Sequence, residues 1–407
     1  MGVDGVTITA ASASTNNGDS ESCVIVGGAY GAPLLHVDAA ECCLFNLCLD
    51  APAAPSEDAQ EASGHLAAIH ITGKGAIFVG GCRVSCKNGC GILVRGEARP
   101  VIHECQVTNC LDGVVIRDSA AATVRCSVIQ RCQWSCVKAL DDTAGTVHDN
   151  EIQKSGDSCM VALGSSRTTF LRNTIGNSKG CGIMLAENTT AVVENNRMTG
   201  MHINGLQVGG SANPIVRGNK IKGSSGSGMV LHDHSKGTYC NNEVTESKLA
   251  GVGFRDQADP IFVGNVVSGG AGSGLVLLCE AKGVVEGNRF IDNKCAGIGI
   301  KGNADGFFDR NIVNDNEGYG IWLQDQSKCT FQNNTIQGNG KAGVAVSNQA
   351  APHFHSNRIV NGKQVGIVCA VPQTLAWGAR CLASCRWAAD AAALCAWRRC
   401  MLGRDDC

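Results

Sequence analysis

The stretch Gly205–Ser227, GLQVGGSANPIVRGNKIKGSSGS, is one copy of a unit that repeats along the chain and decides its fold. An asparagine and a glycine each recur with a constant step of 23 residues. The asparagines are Asn150, Asn173, Asn196, Asn219, Asn242, Asn265, Asn288, Asn311, Asn334 and Asn357, and the glycines are Gly182, Gly205, Gly228, Gly251, Gly274, Gly297, Gly320, Gly343 and Gly366. So long a constant period indicates a repeat architecture, in which each unit packs on its neighbours.

Each repeat contains three short apolar segments separated by turn residues. The first follows the glycine and alternates apolar, variable and apolar, as in Ile183-Met184-Leu185, which is typical of a strand. The second segment is centred on the column Phe170, Val193, Val216, Tyr239, Phe262, Val285, Phe308, Phe331 and Phe354, and the third on Ile152, Ile175, Met198, Ile221, Val244, Val267, Phe290, Val313, Ile336 and Ile359. Glycine, asparagine and proline between the columns predict turns.

Three short strands per 23 residues, without a segment of helical period, predict an all-β fold. The predicted fold class is a right-handed, single-stranded parallel β-helix of about 13 regular 23-residue coils with irregular caps. Equivalent side chains of successive coils should lie on one another, about 4.8 Å apart. An inward asparagine can then bond the next asparagine and the turn backbone, so the asparagine column is predicted to form a ladder.

The repeat divides the chain into four parts. Residues 1–50 carry short β-like runs without the 23-residue columns, and we interpret them as irregular coils that cap the N-terminal end. Residues 51–67 are polar and rich in Pro and Ala, which predicts a mobile loop. Regular coils occupy residues 68–369. Residues 370–407 are rich in Ala, Cys and Trp and form either a capping helix or a disordered tail.

The composition constrains partners and compartment. The net charge is −2 with mixed signs, so neither nucleic acid nor a membrane is predicted as a partner. The absence of a leader and of a long apolar run leads us to predict an intracellular protein, cytoplasmic or nuclear. The 24 cysteines are predicted to be reduced and structural, with Cys136 and Cys159 at the glycine position of the repeat. The spacing of Cys82, Cys86 and Cys90 is not that of a zinc site, so no metal and no cofactor is predicted.

Two segments of the repeat carry a resemblance to a known family. Residues 211–221, SANPIVRGNKI, and residues 361–367, NGKQVGI, resemble the repeats of the F-box β-helix proteins, which are substrate receptors of cullin-based ubiquitin ligases. The resemblance covers about residues 68–369 and implies a recognition rod linked to ubiquitin ligation. No F-box-like helical segment precedes the coils in this sequence. The glycine and asparagine columns are also shared with parallel β-helix repeats of carbohydrate-active enzymes.

The outward position of the strand after the glycine column is largely apolar. It reads His70, Leu93, Val115, Lys138, Val161, Met184, Gln207, Val230, Gly253, Val276, Gly299, Trp322, Ala345 and Val368. A glycosidase needs two carboxyl groups about 5–9.5 Å apart, and this position contains none. An apolar strip favours a protein or peptide partner. The predicted binding residues are Val115, Val161, Met184, Val230, Val276 and Trp322. The alternative is that the flanking turns cover the strip.

Carboxylates recur three positions after that outward column, at Asp118, Asp141, Glu187, Asp233, Asp256 and Asp325. Turn chemistry explains them first, because Asp tolerates the left-handed turn conformation. The exception is the set of candidate catalytic residues His232, Asp233, His234, Arg255 and Asp256. Stacked carboxylates beside histidine and arginine can bind a cation or transfer protons.

The sequence therefore leads to two functional hypotheses. The first is a non-catalytic protein-interaction scaffold or substrate-recognition rod, linked to ubiquitin ligation through the resemblance. The alternative is a carbohydrate-active β-helix enzyme, such as a polysaccharide lyase, hydrolase or epimerase. The outward position without carboxylates favours the first hypothesis and predicts that the protein is not an enzyme.

Overall fold

The computed structural model describes residues 6–9, 23–26, 33–38, 41–51, 66–360 and 362–370. All regular elements of these residues are β-strands, which we number in chain order, so that every third strand belongs to the same sheet. A membrane-spanning helix is not found in the part of the chain that the structure describes. The chain divides into two compact units, Met1–Met198 and Thr199–Cys407. Each unit consists of three parallel sheets, which we describe separately.

The N-terminal unit is built from coils that contribute one strand to each sheet. Its first sheet contains β1 (Val6–Thr9), β4 (Glu41–Phe45), β7 (Ala76–Gly80), β10 (Val101–His103), β13 (Thr123–Arg125), β16 (Thr146–His148), β19 (Thr169–Leu171) and β22 (Val192–Glu194). Its second sheet contains β2 (Cys23–Val26), β5 (Leu47–Ala51), β8 (Arg83–Cys86), β11 (Gln106–Thr108), β14 (Val128–Gln130), β17 (Glu151–Gln153) and β20 (Thr174–Gly176). Its third sheet contains β3 (Leu35–Val37), β6 (Ala67–Ile71), β9 (Cys90–Val94), β12 (Asp112–Ile116), β15 (Val137–Ala139), β18 (Met160–Ala162) and β21 (Ile183–Leu185). Strand β23 (Arg197–Thr199) contains the boundary between the units.

The C-terminal unit repeats the same arrangement. Its first sheet contains β25 (Ile215–Arg217), β28 (Thr238–Cys240), β31 (Ile261–Val263), β34 (Lys282–Glu286), β37 (Asp305–Asp309), β40 (Thr330–Gln332) and β43 (His353–His355). Its second sheet contains β26 (Lys220–Lys222), β29 (Glu243–Thr245), β32 (Val266–Ser268), β35 (Arg289–Ile291), β38 (Ile312–Asn314), β41 (Thr335–Gln337) and β44 (Arg358–Val360). Its third sheet contains β24 (Leu206–Val208), β27 (Met229–Leu231), β30 (Val252–Phe254), β33 (Leu275–Leu277), β36 (Ile298–Ile300), β39 (Ile321–Leu323), β42 (Val344–Ser347) and β45 (Ile367–Ala370).

The register of the strands follows the sequence period. Val244 pairs with Val267, one repeat later in the second sheet, and Tyr239 pairs with Phe262 in the first. The middle residues of these strands point inward and are fully or almost fully buried. Apolar columns of similar size thus stack to form the core of each unit. The predicted all-β parallel β-helix of about 13 regular coils is confirmed.

The described residues before the regular coils also form parallel strands. Val6 pairs with Cys42, and Cys42 pairs with Ile77, so these early coils are longer than the regular ones. Longer connections between the strands explain why the sequence columns are absent here. The interpretation of residues 1–50 as a cap stays a prediction. The loop predicted at 51–67 lies mostly outside the described residues, as does the tail 370–407.

The asparagine column forms the predicted ladder within each unit. In the C-terminal unit, Asn242 donates from Nδ2 to the carbonyl oxygen of Val216 (3.0 Å) and to Oδ1 of Asn265 (2.9 Å). Its own Oδ1 accepts the backbone N–H of Asn219 at 2.9 Å. Each asparagine therefore satisfies polar groups of two neighbouring coils inside a buried turn, where unpaired groups would be costly.

A second, shorter ladder lies at another turn and was not predicted from the sequence. Asn293 donates from Nδ2 to Oδ1 of Asn316, and Asn316 donates in the same way to Asn339, both at 3.0 Å. All three residues are buried. The signal was present in the sequence, because these asparagines also follow one another at 23 residues.

Most of the free cysteines among the described residues fill core positions, as predicted. Cys136 and Cys159 are fully buried where other coils carry glycine. Burial raises the pKa of the Cys86 thiol to about 11 and that of Cys90 to about 12. These thiols therefore stay neutral and act as small apolar side chains. Cys295 is disulfide-bonded, so the prediction that the cysteines are reduced is wrong for this residue.

Candidate active site

A column of carboxylates follows the third-sheet strands, at a turn where the backbone is left-handed. Asp233 and Asp256 have φ values of 56° and 55°. Each carboxylate of the column accepts a hydrogen bond from the backbone N–H of the equivalent turn residue one coil earlier. The pairs, donor first, are Gly96 and Asp118, Asp118 and Asp141, Gly164 and Glu187, Gly210 and Asp233, Asp233 and Asp256, and Gly302 and Asp325. The interpretation as turn chemistry is confirmed for all six.

One of these turns also positions a histidine. His232 lies 3.0 Å from Asp233 through Nδ1, and its Nε2 lies 3.3 Å from Nε2 of Gln207. The Gln207 amide is itself oriented, since its Oε1 accepts a hydrogen bond from Asn204 at 3.1 Å. Gln207 occupies the outward position of strand β24. The network therefore places the histidine ring beside the outer face of the third sheet.

These contacts define the protonation of the ring. A carboxylate can only accept, so Nδ1 of His232 carries the proton that it donates to Asp233. The neutral ring then has its lone pair at Nε2, where the Gln207 amide donates. The hydrogen bond from the Gly210 backbone N–H, followed by the contact with His232, holds the pKa of Asp233 below its usual value. An ionised Asp233 thus keeps Nε2 as the basic atom.

A glycine of the preceding coil makes room for the ring. A Cβ atom on Gly209 would lie 2.3 Å from Cε1 of His232 and 3.1 Å from Oδ2 of Asp233. Real Cβ atoms do not approach so closely, so the histidine position depends on glycine at 209. The sequence reasoning missed both Gln207 and Gly209 as members of the site. The only signal for these two residues in the sequence was their position, since Gln207 and Gly209 lie 23 residues before Val230 and His232.

Replacing Gly209 by alanine should displace the His232 ring from Asp233, because the added methyl group would overlap the imidazole. We expect changed ring chemical shifts of His232 in NMR spectra. Gly253→Ala is a matched control in the same sheet, since a Cβ there would meet no atom within 4 Å. Unchanged His232 signals in Gly209→Ala would contradict this geometry.

The other predicted catalytic residues lie around this histidine. One ligand atom from each of His232, Asp233 and Asp256 lies within 4.8 Å of the others, so the three could hold a cation. The side chain of Arg255 is half-buried and has no hydrogen bond or ion pair with any residue that the structure describes. His234 is exposed. The structure thus brings His232, Asp233 and Asp256 together, with Arg255 on the neighbouring coil.

The predicted apolar strip is less exposed than the sequence suggested. Val115, Val161, Val230 and Val276 are buried, with exposed fractions of 4%, 5%, 7% and 3%. For Val276 the neighbours are Ala250 and Leu278, which pack with it in one buried apolar cluster. Four of the six predicted binding residues are therefore not exposed at the surface. Met184 and Trp322 are half-buried. A protein or peptide partner along this face stays a prediction.

The amino-acid sequence matches a family model described as "Right handed beta helix region" in three overlapping segments, residues 67–221, 161–305 and 264–371. Together the segments span more than half of the 407 residues. No curated protein matches the sequence. The family description agrees with the predicted right-handed coil.

The solved structures that this chain resembles include two epimerases and a lyase. The periplasmic alginate epimerase AlgG is 14% identical, with a TM-score of 0.54 over 72% of this chain and 77% of that chain. The A-module of the mannuronan C-5 epimerase AlgE6 from Azotobacter vinelandii is 15% identical, with a TM-score of 0.36 over 82% of this chain and 91% of that one. Pectate lyase Pel9A is 12% identical, with a TM-score of 0.40 over 60% and 69%.

These comparisons correct the first functional hypothesis. The predictions of a non-catalytic scaffold and of a protein that is not an enzyme are wrong, because the structure matched with a TM-score of 0.54 is an epimerase. The prediction depended on the outward strand position, whose lack of carboxylates does not exclude an enzyme with its catalytic groups elsewhere on the coil. The predicted intracellular location is wrong as well, since that epimerase is periplasmic. The matches support the β-helix part of the family resemblance and not its F-box part.

Proposed function

The chain belongs to the right-handed β-helix family, and from that premise we propose that it is a carbohydrate-active enzyme, an epimerase acting on an acidic polysaccharide of the alginate type. The observation that carries the proposal is the His232 site, in which Asp233 holds Nδ1 and leaves Nε2 as a base at the outer face of the third sheet. The similarity to the alginate epimerase supports the choice of substrate.

The proposed reaction begins with proton removal from the sugar carbon beside the carboxylate. His232 Nε2 takes the proton once the sugar C–H has replaced the Gln207 amide at its lone pair, the C–H bond breaks, and its electron pair moves onto the carboxylate group. A proton from water is added to the opposite face of that carbon and re-forms a C–H bond with inverted configuration, and His232 releases to water the proton that it took. Positioned bases of this kind typically accelerate proton transfer by about 10²–10⁴-fold.

The reaction also requires a cation beside the substrate carboxylate group, and Arg255 can provide it. The negative charge on the substrate carboxylate group increases when the proton leaves, so a nearby cation stabilises the transition state. Arg255 lies one coil after His232 and has no anionic partner among the described residues. Its planar guanidinium group can bind a carboxylate through two parallel hydrogen bonds. We assign it the role of binding the sugar carboxylate.

Hydrolysis fits the site less well. A glycosidase uses one carboxyl group as an acid and a second as a base or nucleophile. Asp233 and Asp256 instead accept backbone N–H groups of their own turn column, at 2.7 and 3.1 Å. The hydrogen bond from Gly210 holds the pKa of Asp233 below its usual value and so opposes the role of a proton donor.

The proposal is tested by incubating the protein with alginate in D₂O and following the polymer by NMR. We expect deuterium to replace hydrogen at the carbon beside the carboxylate, together with a change in the ratio of the two epimers. A neutral polysaccharide without carboxylate groups is the control and should remain unlabelled. Alginate that gains neither deuterium nor epimer would contradict the proposed function.

A further inference from the structure

A second cluster of aromatic and charged side chains lies in the C-terminal unit away from His232, at strand β39 of the third sheet and in the turns before β39 and β42. The rings of Tyr319 and Trp322 have centroids 5.5 Å apart and are tilted by 42°. Nζ of Lys341 lies 5.0 Å from the centroid of the Tyr319 ring. All three side chains are half-buried, so each keeps a solvent-facing part. Two aromatic rings and an ammonium group thus meet at one surface position.

Small residues connect this cluster with the His232 site. Along the outward column, Val230 pairs with Gly253, Gly253 with Val276, Val276 with Gly299, and Gly299 with Trp322. The four steps correspond to about 19 Å at the usual spacing of neighbouring strands. A Cβ atom on Gly253 would meet nothing within 4 Å, so the space above the strand is open there. No large side chain of this column therefore stands between the two sites.

The charges on this surface suit an anionic chain. Lys341 forms no ion pair with any of the residues that the structure describes, and its contact is with the Tyr319 ring. Arg255, near the other end, likewise has no anionic partner among them. An acidic polysaccharide carries a carboxylate on each sugar, so one chain could meet both cations. Trp322 and Tyr319 offer ring faces of the kind that pack on the apolar C–H faces of sugars.

We propose that Tyr319, Trp322 and Lys341 form a distal subsite that binds an acidic sugar of the same polysaccharide chain whose reacting sugar lies at His232. The subsite deepens the proposed function and rests on it. Its role is to hold long substrates: the rings pack against one sugar, and Lys341 binds the carboxylate of that sugar or its neighbour. Two linked contacts on one chain increase the affinity for long chains and leave short ones unaffected.

The test compares Trp322→Ala and Lys341→Met with the wild-type protein on two substrates, a short uronic acid oligomer and a chain several times longer. We expect KM for the long chain to rise about tenfold or more in each variant, with kcat unchanged. KM for the short oligomer should stay the same. Lys282→Met, which removes an exposed lysine from the first sheet, is the matched control and should leave both KM values unchanged.

Binding of the long chain, measured by titration calorimetry, separates the two proposals. Wild-type binding that both variants weaken would support the subsite even if the polymer were never converted. Equal binding by the wild type and both variants would overturn the subsite, while conversion by the wild type would still uphold the proposed function. If the variants lost affinity for short and long oligomers alike, the subsite would also be overturned, since that result would indicate a general structural effect of the substitutions. No binding by the wild type would overturn both.

Discussion

His232→Gln should lower the rate of deuterium incorporation into alginate by about 10²–10⁴-fold, the range expected when a positioned general base is removed. Glutamine keeps a polar side chain of similar length beside Asp233 and Gln207, but it cannot take up a proton near neutral pH. The binding of the polymer should change little, so the effect should fall on kcat. The quantity measured is the rate at which deuterium replaces hydrogen in the polymer, followed by NMR at saturating alginate.

Two further variants should be measured in the same way. His353→Gln changes an exposed histidine of the first sheet and should exchange at the wild-type rate. Asp233→Asn should be slow, because an amide can donate to Nδ1 of His232 and so favour the tautomer with the proton on Nε2. The asparagine still suits the left-handed turn at this position, where φ is 56°. A His232→Gln protein that exchanges as fast as the wild type would exclude His232 as the base.

The second large effect concerns stability, and it should follow from Asn242→Ala. Alanine leaves the backbone N–H of Asn219 and the carbonyl of Val216 without the partners that they have at 2.9 and 3.0 Å. Asn242 is 1% exposed, so water does not replace these partners. Each unsatisfied buried group costs about 1–3 kcal/mol. We expect a clear shift of the urea unfolding midpoint to lower concentration.

Asn242→Asp should destabilise the protein too, because a carboxylate cannot donate to Val216 and its charge would be buried. The control is Asn303→Ala, which removes an exposed asparagine outside the ladder and should leave the midpoint unchanged. If Asn242→Ala unfolded at the same urea concentration as that control, the ladder would contribute nothing to stability.

The strand order and the core could be predicted from the sequence because both depend on the period. With a constant step of 23 residues, only a register that places Val244 on Val267 keeps every inward position apolar. The same argument identified Asn242 as a ladder residue, since a polar side chain repeated at an inward turn needs a repeated partner. It also placed Trp322 correctly between Gly299 and Ala345.

The outer surface could not be predicted in this way. Exposure of an outward side chain depends on how far the neighbouring turns rise above the strand, and the period carries no information about that height. Val276 is buried in one cluster with Ala250 and Leu278, although its position in the strand is outward. The contact between Tyr319 and Trp322 depends on the same turn geometry.

The sequence by itself determined the repeat, the three strands of each coil, the inward columns and the adjacency of His232 and Asp233 to Asp256 on the next coil. Only the tertiary structure decided that His232 lies over Gly209, with Nδ1 on Asp233 and Nε2 beside Gln207. The physical reason is that stacking imposes identical spacing on every coil, so it specifies positions that all coils share. A site depends on the few side chains that differ between coils, and their rotamers and contacts follow from packing between one coil and the next.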